Sequence, residues 1–224
     1  LDHKFSKNTS ILFEPQFNIG TGHYSEYSTF DTESLAKGAS EAVKVNDGIT
    51  SNTGENRNWS TSGFLLLRQK LGKPGRTISA NFRYSFSNNV MHGLNRSVTN
   101  VYDENGQPSA DVQDPVNQRF DQNSNSTSLS GRVVYTEPLT DHLFLEANYN
   151  YSWNLNKSNK DTYNSGVYDI VDGLPVFNPV GELRDGVYSN AITNESHNHR
   201  AGLNLSYQRK KFRINLGGAA HPTA

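Results

Sequence analysis

Residues 143–155 alternate between apolar and polar side chains, and this is the clearest pattern in the chain. Because successive side chains of a β-strand point to opposite faces, the alternation predicts a long strand with one apolar and one polar face. Residues 143–155 would span ~43 Å, whereas strands of globular proteins usually have only ~5–6 residues. A transmembrane strand needs ~9–11 residues, so the length favours a membrane wall over a sandwich core. The apolar positions are Leu143, Leu145, Ala147, Tyr149, Tyr151, Trp153 and Leu155, and Phe144 is the exception on the polar side.

The same alternation recurs in other parts of the chain and predicts seven strands in all. It is interrupted at Val134, and it is least regular where Phe64 begins a short apolar run. The further segments are Ile11–Ile19, Gly63–Leu67, Ile78–Phe86, Leu129–Tyr135, Ala201–Tyr207 and Phe212–Leu216.

The predicted connections alternate strictly between short and long. This alternation is typical of outer-membrane barrels, which have short periplasmic turns and longer extracellular loops. Trp59, Tyr135, Trp153 and Tyr207 lie near predicted strand ends, where aromatic girdles of such barrels occur. Short turns are expected near Ser6–Asn8, Gly72–Arg76, Thr136–Asp141 and Arg209–Lys211, and long polar excursions at roughly Asp31–Asn58, His92–Asn123 and Lys157–Asn198.

Composition agrees with a barrel and excludes several other classes. Hydrophobic residues make up 33% of the 224 residues and the mean hydropathy is -0.72, which is too polar to fill a large core easily. The chain has no cysteine, so it has no disulfide framework. A net charge of -1 without clusters of Lys or Arg argues against a nucleic-acid partner. The chain contains no apolar run of ~18 residues, so the sequence predicts no transmembrane helix.

We therefore expect an all-β fold in which residues 1–224 form part of an antiparallel up-and-down transmembrane β-barrel. Seven strands would leave an open edge, which lipid disfavours because each unpaired backbone group costs several kcal/mol. The sequence also starts at Leu1 without a signal peptide, and its last residues, Gly217–Ala224, cut off a strand that has just begun. The expectation is a fragment of a larger barrel, with the remaining strands and any plug domain outside it.

Four segments resemble the outer-membrane β-barrel family common in Bacteroidota, whose barrels are similar to those of TonB-dependent receptors. The resemblance implies a barrel of about 22 strands, an N-terminal plug and energy-coupled uptake of a ligand through the TonB system. This chain lacks the plug and the TonB-contact segment, so transport is inferred for the parent protein. The segments are Leu1–Thr21, Gly72–Thr77, Asn117–Asp121 and Tyr135–Leu139.

The chain carries no convincing catalytic or metal motif. Gly72–Arg76 is a proline-glycine turn without the spacing of a phosphate loop. His197 and His199 share one strand face but have no obvious further ligands. The acidic segments near Asp103 and Asp111–Asp114 lack the terminal glutamate of a calcium loop. No serine has an elbow motif, so we expect no enzyme, no cofactor and no metal.

Two functions of different classes remain open. The favoured one is a wall segment of an outer-membrane uptake receptor in contact with lipid, and the alternative is a secreted all-β module that binds a ligand such as a carbohydrate. A passive porin without a plug would show the same sequence pattern as the uptake receptor. In the barrel the polar positions would face the lumen, with candidates Glu14, Gln16, Asn81, Arg83, Arg132, Glu146, Asn148 and Asn150. Loop aromatics that could contact ligand are Tyr102, Phe120, Tyr168, Phe177 and Tyr188.

Overall fold

The computed structural model describes residues 1–35, 41–109, 115–210 and 212–222, and the regular structure within these ranges consists entirely of β-strands. The all-β prediction is confirmed. The strands are β1 (Asp2–Lys4), β2 (Thr9–Ser34), β3 (Val43–Lys70), β4 (Thr77–Val101), β5 (Val116–Pro138), β6 (Leu143–Asn164), β7 (Ile170–Val171), β8 (Leu174–Pro175), β9 (Leu183–Arg184), β10 (Asn190–Arg209) and β11 (Phe212–Ala220).

The long strands form one antiparallel sheet in which each strand pairs with its neighbours in the sequence. The order is β1-β2-β3-β4-β5-β6-β10-β11, and the short β9 pairs with the end of β6. β7 and β8 form a separate small hairpin. Each of the seven predicted strands lies inside one of these long strands, so the up-and-down antiparallel order is confirmed.

The strands are much longer than the alternation predicted. β2 has 26 residues, β3 has 28 and β4 has 25. The predicted excursions Asp31–Asn58, His92–Asn123 and Lys157–Asn198 are therefore wrong in extent, since residues 43–58, 92–101, 116–123 and 157–164 are strand. The long connections are reduced to residues 35–42, 102–115 and 165–189. Backbone pairing continues here without an apolar face, which explains why a periodicity argument cannot detect it.

The register divides the side chains of the sheet into two faces. Directly opposed residues of an antiparallel pair lie on the same face, so the pairs can be followed from strand to strand. One row runs from Ile11 through Leu67, Ala80, Val133 and Tyr149 to Ala201, and we call its side of the sheet the apolar face. The other side, the polar face, carries the adjacent row of Leu12, Leu66, Asn81, Arg132, Asn150 and Arg200.

The sheet is a single layer with almost no hydrophobic core. Among the described residues, Leu174 is the buried hydrophobic side chain, at 7% exposure. Phe17 on the apolar face is 65% exposed and Leu203 is 59% exposed. Within the described ranges, no second large sheet covers the apolar face.

The connection of residues 165–189 folds back onto the apolar face, near the rim where the long connections lie. Its hairpin β7-β8 contacts β3 and β4, and Leu174 and Pro175 are buried there. Asn117 donates a hydrogen bond to the carbonyl of Val176 at 3.3 Å, and Arg119 binds Glu182. Asn117 and Arg119 both occupy apolar-face positions of β5, so the part of the connection around Val176 and Glu182 lies on the side opposite the polar face. Its last part instead contacts polar-face positions of β6, where Thr162 Oγ1 donates to the Tyr188 carbonyl.

Candidate functional site on the polar face

All eight predicted polar residues lie on the polar face, because the register connects them from strand to strand. Asn81 opposes Arg132, and Arg132 opposes Asn150. The other five occupy positions of the same parity on β2, β4 and β6. Their common face is a geometric finding, and their exposure to a lumen stays a prediction.

Three of the predicted residues line a hollow of about 370 Å³ at the rim of the short turns. Arg132, Asn148 and Asn150 come from β5 and β6, Arg200, Gly202 and Asn204 come from β10, and residues 217–219 of the edge strand β11 complete the lining. The sequence analysis missed Arg200 and Asn204. Their even positions on β10 carried the same signal as Asn148 and Asn150, and extending the alternation past Ala201 would have found Arg200.

Opposite charges meet at this end of the polar face, where Arg83, Arg132 and Arg200 outnumber the carboxylates of Glu14 and Glu146. The Glu146 carboxylate accepts a hydrogen bond from Asn204 Nδ2 at 3.2 Å and lies 4.0 Å from Arg132 Nη2. Towards β2, Arg83 stacks over the Phe64 ring at 4.7 Å, beside Glu14. These groups could hold a polar or charged moiety, but no nucleophile is paired with a base here.

The middle of the polar face is uncharged. Three consecutive rows across β2, β3, β4, β5, β6 and β10 contain only Ser, Asn and Gln except at Gly20 and Ile192, and we call these rows the neutral field. Side chains pair partly with one another, as in the hydrogen bond of 2.8 Å from Ser128 to Asn154. The rows are Gln16, Ser62, Ser85, Ser128, Asn154 and Ser196; Asn18, Ser60, Ser87, Ser126, Asn156 and Asn194; and Gly20, Asn58, Asn89, Ser124, Ser158 and Ile192.

Two aromatic rings lie over glycines beyond the neutral field, towards the long connections. Tyr24, Gly54, Gly93 and Phe120 form one register row. A Cβ built on Gly93 would lie 2.6 Å from Tyr24 Oη and 2.7 Å from Phe120 Cζ, so both rings reach the same point over this residue. Burial raises the pKa of the Tyr24 hydroxyl. We call this row the aromatic floor.

The predicted ligand aromatics are not brought together. Phe120 was expected in a loop, but it lies inside β5 because the backbone ladder continues past the end of the apolar alternation. Tyr102 directly follows β4, where its hydroxyl donates to Asp47 Oδ2 at 3.0 Å. Tyr168, Phe177 and Tyr188 lie in the connection of residues 165–189, outside the long strands. The sequence analysis missed Tyr24, although Gly54 and Gly93 inside polar segments were a usable signal.

The two histidines considered as metal ligands pair with tyrosines instead. On the apolar face, His199 Nδ1 lies 2.7 Å from Tyr149 Oη, and His197 Nδ1 lies 2.9 Å from Tyr151 Oη. In the part of the chain that the structure describes, no group of three or more His, Cys, Asp or Glu residues could hold a metal ion. The acidic segment Asp111–Asp114 lies outside the described residues.

The apolar face carries a belt of ion pairs near the long connections. Lys44 lies 2.6 Å from Asp47, and hydrogen bonds from Lys44, Asn100 and Tyr102 lower the pKa of Asp47 to about 2. Although burial opposes it, hydrogen bonds from His92 and Arg119 lower the pKa of Asp121. Both faces are therefore hydrophilic at this level of the sheet.

Comparisons with known proteins returned no match among protein-family models, curated proteins or solved structures. Within the described ranges, no helix has the length and apolar character required to span a membrane.

Proposed function

We propose that this chain is a wall segment of an outer-membrane β-barrel, in a TonB-dependent-receptor-like protein that takes up a ligand across the outer membrane. The observation that carries the proposal is a continuous apolar band on one face of the sheet, crossing all the long strands at an oblique angle. The partners of this wall segment would be outer-membrane lipid, the remaining barrel strands, an N-terminal plug and the TonB system.

The apolar band occupies the part of each strand nearest the short turns. On β2, β3 and β4 it covers nine residues, which matches the ~9–11 residues that transmembrane strands need, and it is longer on β6 and shorter on β5, β10 and β11. Tyr and Trp side chains at Trp59, Tyr135 and Trp153 suit the aromatic girdles of such a wall. The band consists of Ile11–Ile19 on β2, Trp59–Leu67 on β3, Ile78–Phe86 on β4, Leu129–Tyr135 on β5, Leu143–Leu155 on β6, Ala201–Tyr207 on β10 and Phe212–Leu216 on β11, at the positions of the apolar face.

The angle between the edge of the apolar band and a register row of directly paired residues gives the tilt of the strands relative to the band. The register row that starts at Ile11, the turn-side edge of the band on β2, ends at Ala220 on β11. The corresponding edge on β11 is Phe212, about eight residues nearer the turn. Eight residues correspond to ~26 Å and six strand spacings to ~29 Å, so the strands tilt by roughly 40° against the band. Strands of closed barrels tilt by about 35–45°, which supports a band that is level in a membrane.

The connections support the same orientation. Residues 71–76 and 139–142 form short turns at the rim nearest the band, where Arg209 of β10 also pairs with Phe212 of β11, and the three longer connections lie at the other rim. Outer-membrane barrels have this asymmetry, with the longer loops outside the cell. The uptake role depends further on the family resemblance of segments such as Gly72–Thr77 and on the hydrophilic polar face, which would line the lumen.

The alternative is a secreted binding module, which needs protein packed over the apolar face. The described structure offers no such cover at the odd positions of Leu143–Leu155, where Tyr149 is 47% exposed. This observation favours lipid as the partner of that face.

The orientation can be tested with single cysteines in this cysteine-free chain, introduced into the full-length protein in membranes. Nitroxide labels at successive positions from Leu145 to Trp153 report contact with oxygen, which partitions into lipid, and with a water-soluble nickel chelate. We expect odd positions to respond to oxygen and the even positions, such as Asn148 and Asn150, to respond to nickel. If the odd positions resist both reagents, protein covers them and the secreted module is the better description.

Conductance separates an uptake receptor from a passive pore. A plug fills the lumen of a receptor barrel, whereas an open porin has an aqueous channel. We expect the full-length protein in a planar lipid bilayer to show little steady conductance. A large steady conductance would identify a passive pore and would overturn energised uptake while leaving the barrel intact.

A further inference from the structure

Positive charge collects at the rim of the short turns. The whole chain has 21 Lys and Arg against 22 Asp and Glu, so it has no basic excess. Beyond the turn-side edge of the apolar band, in contrast, the described residues of segments 1–10, 68–77, 136–142 and 208–210 are mostly basic where they are charged. The basic residues are Lys4, Lys7, Arg68, Lys70, Lys73, Arg76, Arg209 and Lys210, and the acidic ones are Asp2, Glu137 and Asp141.

The turn of residues 71–76 contains its own counter-charge. Arg76 Nε lies 2.7 Å from Glu137 Oε2, and Lys73 Nζ lies 3.6 Å from Glu137 Oε1. Part of the positive charge of this turn is therefore compensated within the protein, and an anion from outside would gain less from it.

A hollow of about 480 Å³ lies between the turn of residues 139–142 and the end of the β10-β11 pair. The backbone N–H of Gln208 donates to the His142 carbonyl at 2.8 Å, which joins these two parts of the rim. Within the described ranges, no carboxylate forms an ion pair with the three exposed cations of the hollow, so their charge is free to meet an anion. The lining consists of His142, Gln208, Arg209, Lys210, Phe212 and Arg213.

The hollow lies at the level where the apolar band ends. Phe212 is the first residue of the band on β11 and is 61% exposed, and Tyr207 is the last residue of the band on β10. The His142 ring meets the Tyr207 ring edge-on, with the ring centres 6.4 Å apart. A lipid at this level would place its acyl chains against Phe212 and its head group beside Arg209 and Lys210.

We propose that this hollow binds the phosphate head group of an anionic phospholipid in the membrane leaflet nearest the short turns. The inference rests on the proposed barrel function, because head groups reach this rim only if the apolar band lies in a membrane. The guanidinium groups of Arg209 and Arg213 can donate paired hydrogen bonds to phosphate oxygens, and the Lys210 ammonium adds a compact positive charge. A zwitterionic head group carries its own cation beside the phosphate and should bind more weakly.

Native mass spectrometry of the full-length protein in a neutral detergent tests the head-group preference. The probes are phosphatidylglycerol and phosphatidylcholine with identical acyl chains. We expect the first phosphatidylglycerol to bind about tenfold more tightly, because each basic side chain near an anionic lipid head group adds to the attraction. Equal affinities for the two lipids would overturn the inference. Inorganic phosphate should not displace the bound lipid, and displacement at equal concentration would show that the hollow takes the free ion instead.

Paired substitutions locate the contact. Arg209→Gln together with Lys210→Gln removes two of the three cations and should weaken phosphatidylglycerol binding about tenfold, with little change for phosphatidylcholine. The control is Lys4→Gln together with Lys7→Gln, which removes the same charge from the same rim but outside the lining of the hollow. Equal losses in both double variants would refute the hollow as the site. Arg209→Lys together with Lys210→Arg keeps both charges and should retain most of the preference, which separates a lost contact from a folding defect.

The nitroxide pattern on β6 distinguishes the two possible failures. If odd and even positions show the expected lipid and water contacts but phosphatidylglycerol has no advantage, only the head-group inference is wrong. If the labels give no alternation, the barrel proposal itself fails and no membrane leaflet lies at this rim.

Discussion

Arg119 on β5 and Glu182 in the connection of residues 165–189 form a two-point ion pair, with Nε to Oε2 at 3.1 Å and Nη2 to Oε1 at 2.8 Å. Arg119 also stacks on the Tyr163 ring at 4.3 Å and binds Asp121. Both side chains of the pair are about three-quarters covered, and 63 residues separate them in the chain. The pair therefore fastens this connection to the apolar face of the sheet.

Removing this pair should loosen the connection without unfolding the sheet. In the Arg119→Gln variant, amide hydrogen exchange of residues 165–189 should become about five times faster, because a partly exposed ion pair contributes at most ~1 kcal/mol. Arg57→Gln is the matched control, since Arg57 is 73% exposed and lies 4.0 Å from Glu55. Equal exchange in both variants would mean that the β7-β8 hairpin alone holds the connection.

Val133 and Val134 are adjacent on β5 and lie on opposite faces, which makes them a matched pair for testing lipid contact. Val133 belongs to the apolar band and is 43% exposed, whereas Val134 opposes Ser79 and Asn148 on the polar face. Val133→Arg should destabilise the folded protein by about 2–4 kcal/mol in lipid vesicles, as an arginine near the bilayer midplane does. Val134→Arg should cost less than about 1 kcal/mol. Denaturant titration in vesicles measures both values.

The two valines also illustrate how much the sequence predicts. Alternation located the apolar band on seven strands and put Glu14, Arg83, Arg132 and Asn148 on one face, since lipid or core contact requires a repeat of two. It could not predict that β3 continues through residues 43–58, because both faces of the strand are hydrophilic there. Backbone pairing maintains this region, and such pairing leaves no mark in side-chain polarity.

The candidate site could be predicted only in part. Arg132, Asn148 and Asn150 were correct as members of one surface, because parity assigns a face directly. The Tyr24 and Phe120 rings meet over Gly93 because of the register of four strands. The register between distant segments cannot be predicted from a single sequence. The fold of residues 165–189 onto the apolar face depends on individual contacts such as Arg119 with Glu182.

Asp47 should give the structure an acid-sensitive contact near the long connections. Hydrogen bonds from Lys44, Asn100 and Tyr102 lower its pKa to about 2, below an ordinary value near 3.8. A depressed folded-state pKa means that the stabilisation is complete above about pH 4 and is lost as the pH falls towards 2. Carbon-detected NMR of the Asp47 carboxyl should give a midpoint near pH 2. A midpoint near 4 would contradict the network.

The same network predicts which substitution loosens the turn after β4. In Asp47→Asn, the amide exchange of residues 102–107 should accelerate at neutral pH, because the Tyr102 hydroxyl loses its charged acceptor. Asp31→Asn is the control. Asp31 lies 2.9 Å from Lys44, as a second carboxylate partner of that lysine, but it acts on Tyr102 only through the long-range effect of its charge.

Tyr84 lies directly over Gly63 on the apolar face, and this contact should make Gly63 intolerant of larger side chains. A Cβ at Gly63 would lie 2.6 Å from Tyr84 Cζ, so Gly63→Ala should cost about 1–3 kcal/mol by overpacking. Gly131 occupies the same face, but the nearest atom to its added Cβ is 3.8 Å away, and Gly131→Ala should be neutral or slightly stabilising. Adding Tyr84→Ala to Gly63→Ala should restore part of the lost free energy of unfolding, as measured by denaturant titration, because the ring that clashes with the new Cβ is then absent. Purely additive costs in this cycle would show that the ring of Tyr84 is not what restricts position 63.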